Sequence, residues 1–221
     1  MKYLFLILFC VVSASFQTES SLYEVNPNDF LSSAAVNQPI DARNPNEELL
    51  DATLFHISNL QRKKYHLPLF SHSSVLHQVA SEHSEAMINK NFYSHEDPSS
   101  RSNRTFAKRI MNNTSEFSQM AENIAEFDII QSKDDMFCLI EPKRKGGDFQ
   151  YIDCKTEKTL TMQTYKELAT NIVNEWMDSP GHRANLLNKN YKVMGCAIRL
   201  SKNPYKSQNS PFSRITQNFG G

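Results

Sequence analysis

The stretch Ile172 to Leu187, IVNEWMDSPGHRANLL, constrains this chain more than any other, because a helical apolar stripe runs into a hard stop that presents a histidine. Tyr165, Leu168, Ala169, Ile172, Val173 and Trp176 recur at helical spacing, so one face of this segment must be buried against a core. Pro180 ends it, since the residue before a proline is pushed out of the α region, which makes Ser179 a boundary. Ser179 and Pro180 also read as N-cap and first position of a second helix, Pro180 to about Asn188, with His182 in its first turn. Partial positive charge at a helix N-terminus disfavours imidazolium and holds His182 toward the neutral form.

The first residues, MKYLFLILFCVVSAS, combine one lysine, an apolar run too short to span a bilayer, and small residues at Ser13, Ala14 and Ser15. They read as a secretory signal peptide over 1–15, so a secreted, extracellular protein with no membrane span is expected. Phe9 before Cys10 argues against lipidation there. Residues 16–43, rich in Ser, Asn and Gln, suggest a flexible leader, and one domain is expected over 44–221. Formal net charge is zero, which gives no electrostatic case for nucleic acid or anionic membrane as partner. Of the three cysteines beyond the signal segment, Cys138 and Cys154 are equally far from Gly146, and in an antiparallel hairpin they would meet at disulfide distance. Cys196, in VMGCAIR, is then a buried thiol or a linking or reactive cysteine.

Along the domain, Asn44, Pro45 and Glu47 resemble an N-cap, a first-turn proline and a capping-box glutamate before Leu50, Leu54, Ile57 and Leu60. A second helix is expected from Ser74 to Lys90, with His83 facing inward, then a loop with a short helix over Arg101 to Ser118. Two strands close the chain, Val193 to Arg199 and Phe212 to Phe219. Helices first and strands late indicate an α+β domain.

NFYSHEDP, with His95, MAENIAEF, with Glu122, and the SPGHR stretch together resemble the CAP superfamily of cysteine-rich secretory, antigen 5 and pathogenesis-related proteins. The resemblance runs from about Leu49 to Gly221, takes in NLQRKKYHLPLF and ITQNFG, and looks most like the microbial SPGHR-type branch. It implies a three-layer α-β-α sandwich, the CAP/SCP fold, with the hairpin region 128–164 as an insertion. It also implies a cleft in which His95, Glu122 and His182 match two histidines and a glutamate, with His95 and His182 as metal ligands. The second acidic position of the family falls on Ser179, with Glu175 as a cleft neighbour. No cofactor is required; a weakly bound zinc or other divalent metal is the expectation, because two histidines fall short of the four ligands of structural zinc and the three of catalytic zinc.

From residue types alone, His95, Glu122 and His182 read equally as a functional cleft or as a buried hydrogen-bonded network. Ser179 as a nucleophile is rejected, since its hydroxyl is accounted for as an N-cap. Sequons at Asn103, Asn112 and Asn113 are candidate glycosylation sites. The leading expectation is an extracellular binding module for a sterol- or fatty-acid-like apolar molecule, or for a protein or cell-surface partner. The alternatives are a metal-assisted, peptidase-like hydrolase with Glu122 as base, and a structural scaffold.

Overall fold

The structure, a computed structural model, describes residues 19–132 and 136–221; the expected signal segment lies outside them. Seven helices, α1 (Glu19–Glu24), α2 (Pro27–Ser32), α3 (Glu47–Lys64), α4 (Ser74–Asn89), α5 (Phe106–Met111), α6 (Tyr165–Asp178) and α7 (Pro180–Leu186), are found among the described residues. Six strands accompany them among the described residues: β1 (Ser71–His72), β2 (Met120–Asp128), β3 (Cys138–Ile140), β4 (Gln150–Ile152), β5 (Val193–Leu200) and β6 (Phe212–Gly220), of which β3 and β4 form a separate two-stranded sheet.

A four-stranded sheet of order β1-β5-β6-β2 is the middle layer, parallel between β1 and β5 and antiparallel elsewhere. Strand periodicity of two puts alternate residues of β5 and β6 on opposite faces. One face meets α4: Ser84 donates to Thr216, Asn218 donates to the Leu76 carbonyl, and a Cβ on Gly195 would lie 2.0 Å from the His77 backbone nitrogen. The other face meets α3, where Gln217 donates to Ser58 and the Cys196 thiol to the Asp51 carbonyl. The fold is therefore an α+β, three-layer sandwich. Because both faces are covered, β6 buries polar Ser213, Thr216, Gln217 and Asn218 as well as Ile215 and Phe219.

The helices follow their local signals. Thr164 and Glu167 form a full capping box on α6, and its apolar stripe, ending at Trp176, is buried. The cap of α3 is Asn46, whose side chain accepts from Leu49 N–H, and not Asn44; Pro45 thus precedes the cap. At α7 the Ser179 backbone takes the N-cap position, but its hydroxyl makes no capping bond.

The flexible leader is corrected over its described part. Tyr23, Phe30, Leu31, Val36, Ile40 and Ala42 are buried in the core shared by α3 and α6, and Tyr23 stacks on His72 at 3.7 Å between ring centroids. Polar composition concealed a small set of apolar anchors that finds its complement only on the folded α3 surface. Strand β2, where the sequence suggested no element, pairs with β6 from Met120 to Asp128.

The Cys138–Cys154 disulfide forms, with a Cα separation of 5.0 Å. Its register differs from expectation: Cys138 faces Ile152, so Cys154 lies in the turn beyond β4 rather than opposite its partner. Cys196 is a free, buried thiol.

Candidate functional site

Two of the sequence-matched residues, His95 and Glu122, meet at the outer edge of β2, and the start of α7, which carries His182, is joined to the same strand. His95 arrives on the loop after α4, Glu122 stands on β2, and His182 comes from α7 on the opposite face of the sheet. The Asn123 amide donates to the His182 carbonyl at 3.3 Å and tethers the start of α7 to the edge strand. Asn185 donates to Asn123 at 2.8 Å, closing the same joint one turn later.

Glu122 is the centre of this arrangement. Its side chain is fully buried, yet both carboxylate oxygens are used: Oε1 accepts from His95 Nδ1 at 2.9 Å and Oε2 from Arg109 Nη2 at 2.7 Å. Arg109, on α5, also donates to the His95 carbonyl at 3.1 Å, so one guanidinium holds both the carboxylate and the backbone of its histidine partner. A Nδ1–H donor to Glu122 fixes the His95 tautomer and leaves Nε2 as the free acceptor on a ring that is half exposed. Arg109 was not anticipated. Nothing in FAKRIM distinguishes a buried, carboxylate-holding arginine from a solvated one.

His182 is held below the usual histidine range by burial, with the charge of His95 as a lesser cause. Its Nδ1 is buried without a hydrogen-bond partner. Ser179 and Glu175 do not join the cluster through any hydrogen bond to His95, Glu122 or His182. Glu175 instead lines a groove of about 690 Å³ between β2 and α6.

The expected metal meets a sparse donor set. Glu122 is fully buried with both oxygens engaged, so His95 and His182 supply two imidazole nitrogens, and no group of three or more His, Cys, Asp or Glu among the described residues is placed to hold an ion. That set does not suit structural or catalytic zinc.

His83, expected as a core histidine, is buried behind the site, and its Nε2–H donates to the Ser94 carbonyl at 3.0 Å. Burial, partly opposed by the charge of Glu122, pushes it down to about 4; burial and His77 do the same to His72. A histidine whose folded pKa lies below its unfolded value near 6.5 binds a proton on unfolding. Its stabilising contribution is complete above pH 6.5 and is lost as pH falls toward 4. Urea midpoints measured from pH 7.5 to 4.5 should fall across that window, and His83→Gln should flatten part of the slope. A level profile would contradict both assignments.

Asn112 and Asn113 are exposed and Asn103 is half-buried. The Asn112 amide donates to the Ser102 carbonyl at 3.1 Å and to Asn103 Oδ1 at 2.8 Å, so glycosylation there, which leaves a single N–H, would break one of the two bonds, whereas Asn113, with one donated bond to the Arg109 carbonyl at 2.9 Å, retains an N–H for it.

The family model of the cysteine-rich secretory protein family, CAP, matches residues 55–219, about three quarters of the chain. This chain belongs to the CAP family. Its similar solved structures include an extracellular protein containing an SCP domain from Bacillus anthracis str. Ames, 22% identical, covering 79% of this chain and 41% of that one, at a TM-score of 0.49. An outer surface protein from Borrelia burgdorferi is 18% identical, covering 83% of this chain and 97% of that one, with a TM-score of 0.49. A cysteine-rich secretory protein from Staphylococcus aureus is 16% identical over 80% of this chain and 40% of that one, with a TM-score of 0.44. The chain thus spans less than half the length of the Bacillus and Staphylococcus proteins. None of the curated proteins compared with it matches by sequence. No helix among the described residues of this CAP chain is long and apolar enough to cross a membrane.

Proposed function

We propose that this CAP domain is an extracellular binding module whose β2 edge, carrying His95, Glu122 and His182, is a recognition surface for a protein or cell-surface partner. The observation that supports it is the state of Glu122: buried, with one oxygen on Arg109 and the other on His95. A general base needs a lone pair within reach of water, and this carboxylate is fully buried, with each oxygen engaged in holding a loop and a helix together. The hydrolase reading loses its base on that account. An apolar ligand finds better walls away from the histidines, in a cavity of about 430 Å³ lined by Ile40, Phe149, Tyr151, Leu160, Met162 and Tyr205 among others. The inserted hairpin supplies one side of that cavity.

Calorimetric titration of zinc, with a peptide-hydrolysis assay run in parallel, tests this reading. Zinc should bind weakly, the binding should vanish in His95→Ala and in His182→Ala, and no zinc-dependent hydrolysis should be found. Turnover that is abolished by Glu122→Gln in a folded protein would overturn the proposal in favour of the hydrolase.

A further inference from the structure

Strand β2 is hydrogen-bonded to β6 on one flank only, and its other flank is an edge of the sheet. The outward carbonyls are largely capped by side chains: Asn185 donates to Glu122 O at 3.5 Å, Trp176 and Tyr93 donate to Ile124 O at 3.2 and 3.4 Å, and Gln163 donates to Asp128 O at 2.8 Å. By strand alternation the backbone N–H and C=O of Glu126 face the same way, and neither has a partner among the described residues. Glu126 and Asp128 are exposed. The outward carbonyls are therefore capped on either side of Glu126 and free at it.

The groove of about 690 Å³ lies against this opening, and its far wall is a stripe of α6, Glu167, Asn171 and Glu175, spaced one turn apart. Four carboxylates line it, Glu126, Asp128, Glu167 and Glu175, and no Lys or Arg is among its described lining residues. Two are already engaged: Glu126 pairs with Arg214 at 2.7 Å, and Glu167 closes the α6 capping box. The carboxylates of Asp128 and Glu175 make no ion pair or hydrogen bond among the described residues. Burial raises the Glu175 carboxyl above its usual range, as expected where no cation compensates. Residues 124–128 carry no lysine, proline or bulge, the devices that most firmly block pairing at an edge; the protection they do have is the charge of Glu126 and Asp128 and the side-chain caps on the neighbouring carbonyls.

We propose that an extended peptide bearing lysine or arginine adds to β2 at Glu126 as a further strand, seated between β2 and α6. Backbone pairing with Glu126 supplies register, as in other cases of strand addition. Alternate side chains of the peptide then point toward Asp128 on one side and Glu175 on the other, and the carboxylates of these two residues, unpaired among the described residues, select the sign of the partner. A bare cation would meet the carboxylates and leave the Glu126 backbone unused, and an apolar molecule would leave the carboxylates desolvated.

The probe is an acetylated, amidated hexapeptide of alternating valine and lysine, with two controls: glutamate replacing lysine, and alternate backbone nitrogens methylated. Calorimetry and the NMR shift of the Glu126 amide are the readouts. The lysine peptide should bind and move the Glu126 amide. The Asp128→Asn, Glu175→Gln double variant, altered only at exposed positions, should weaken binding at least about fivefold. N-methylation should abolish binding to the unaltered protein. His95→Ala should leave it unchanged, so that failure of the histidine-edge reading and failure of this one are separable. No binding, equal binding of the glutamate peptide, or retention on N-methylation would each overturn the proposal, the last by reducing it to diffuse charge attraction.

Discussion

Arg109→Leu should cost about 3–5 kcal/mol of stability at neutral pH, because it strands a buried carboxylate. The Glu122 side chain is fully buried and the Arg109 side chain only 6% exposed, so water cannot replace the lost guanidinium without opening the structure. The same guanidinium donates to the carbonyls of His95, Asn103 and Arg104, which ties the loop between α4 and α5 to the edge of the sheet. Its loss therefore removes an ion pair and the anchor of the loop that presents His95. The control is a double-mutant cycle with Glu122→Gln. Removing both charges should recover a good part of the loss, since an unpaired buried charge costs more than an absent pair. Urea denaturation of the four proteins gives the answer. A single-variant loss below about 1 kcal/mol would mean that Glu122 is solvated or protonated and that the three-residue arrangement is not as drawn.

Trp176→Ala should be comparably severe, again about 3–5 kcal/mol, for a different reason. The indole is entirely buried, so its removal leaves a cavity between α6 and the sheet. Its Nε1–H also donates to the Ile124 carbonyl at 3.2 Å, closing that edge group from the α6 side. Trp176→Phe separates the two contributions: it keeps most of the volume, loses the donor, and leaves the carbonyl with the more distant Tyr93 hydroxyl at 3.4 Å. Phenylalanine should recover more than half of the alanine loss. If both variants are equally destabilised, the hydrogen bond rather than the packing dominates at this position. Because His182 sits beside the indole, 6.3 Å between ring centroids, its side-chain NMR signals should shift in both variants.

Much of the frame was legible residue by residue. The stripe from Tyr165 to Trp176, the break at Pro180, the helix from Ser74 with His83 turned inward, and the two closing strands all follow from periodicity and local stop signals, which act over a few residues. The pairing of Cys138 with Cys154 follows from the same short-range logic, although the register shows that the turn beyond β4, and not direct opposition, brings the sulfurs together. His95, Glu122 and His182 were identified by resemblance, and the structure brings the first two into hydrogen-bond contact.

What only the tertiary structure decided has a common physical origin in contacts between residues far apart in the chain. Whether Tyr23 and Phe30 are a loose tail or part of the core depends on the α3 surface they meet, which no local pattern encodes. Arg109 becomes the partner of Glu122 only because α5 folds back over β2, and Glu175 turns to a separate groove because its helical phase aligns it with Glu167 and Asn171 rather than with His182. Periodicity determined which face of each element is buried. The partner each face meets, and so the identity of the long-range ion pairs and of the side chains that cap the β2 edge, was decided by how three layers closed on one another.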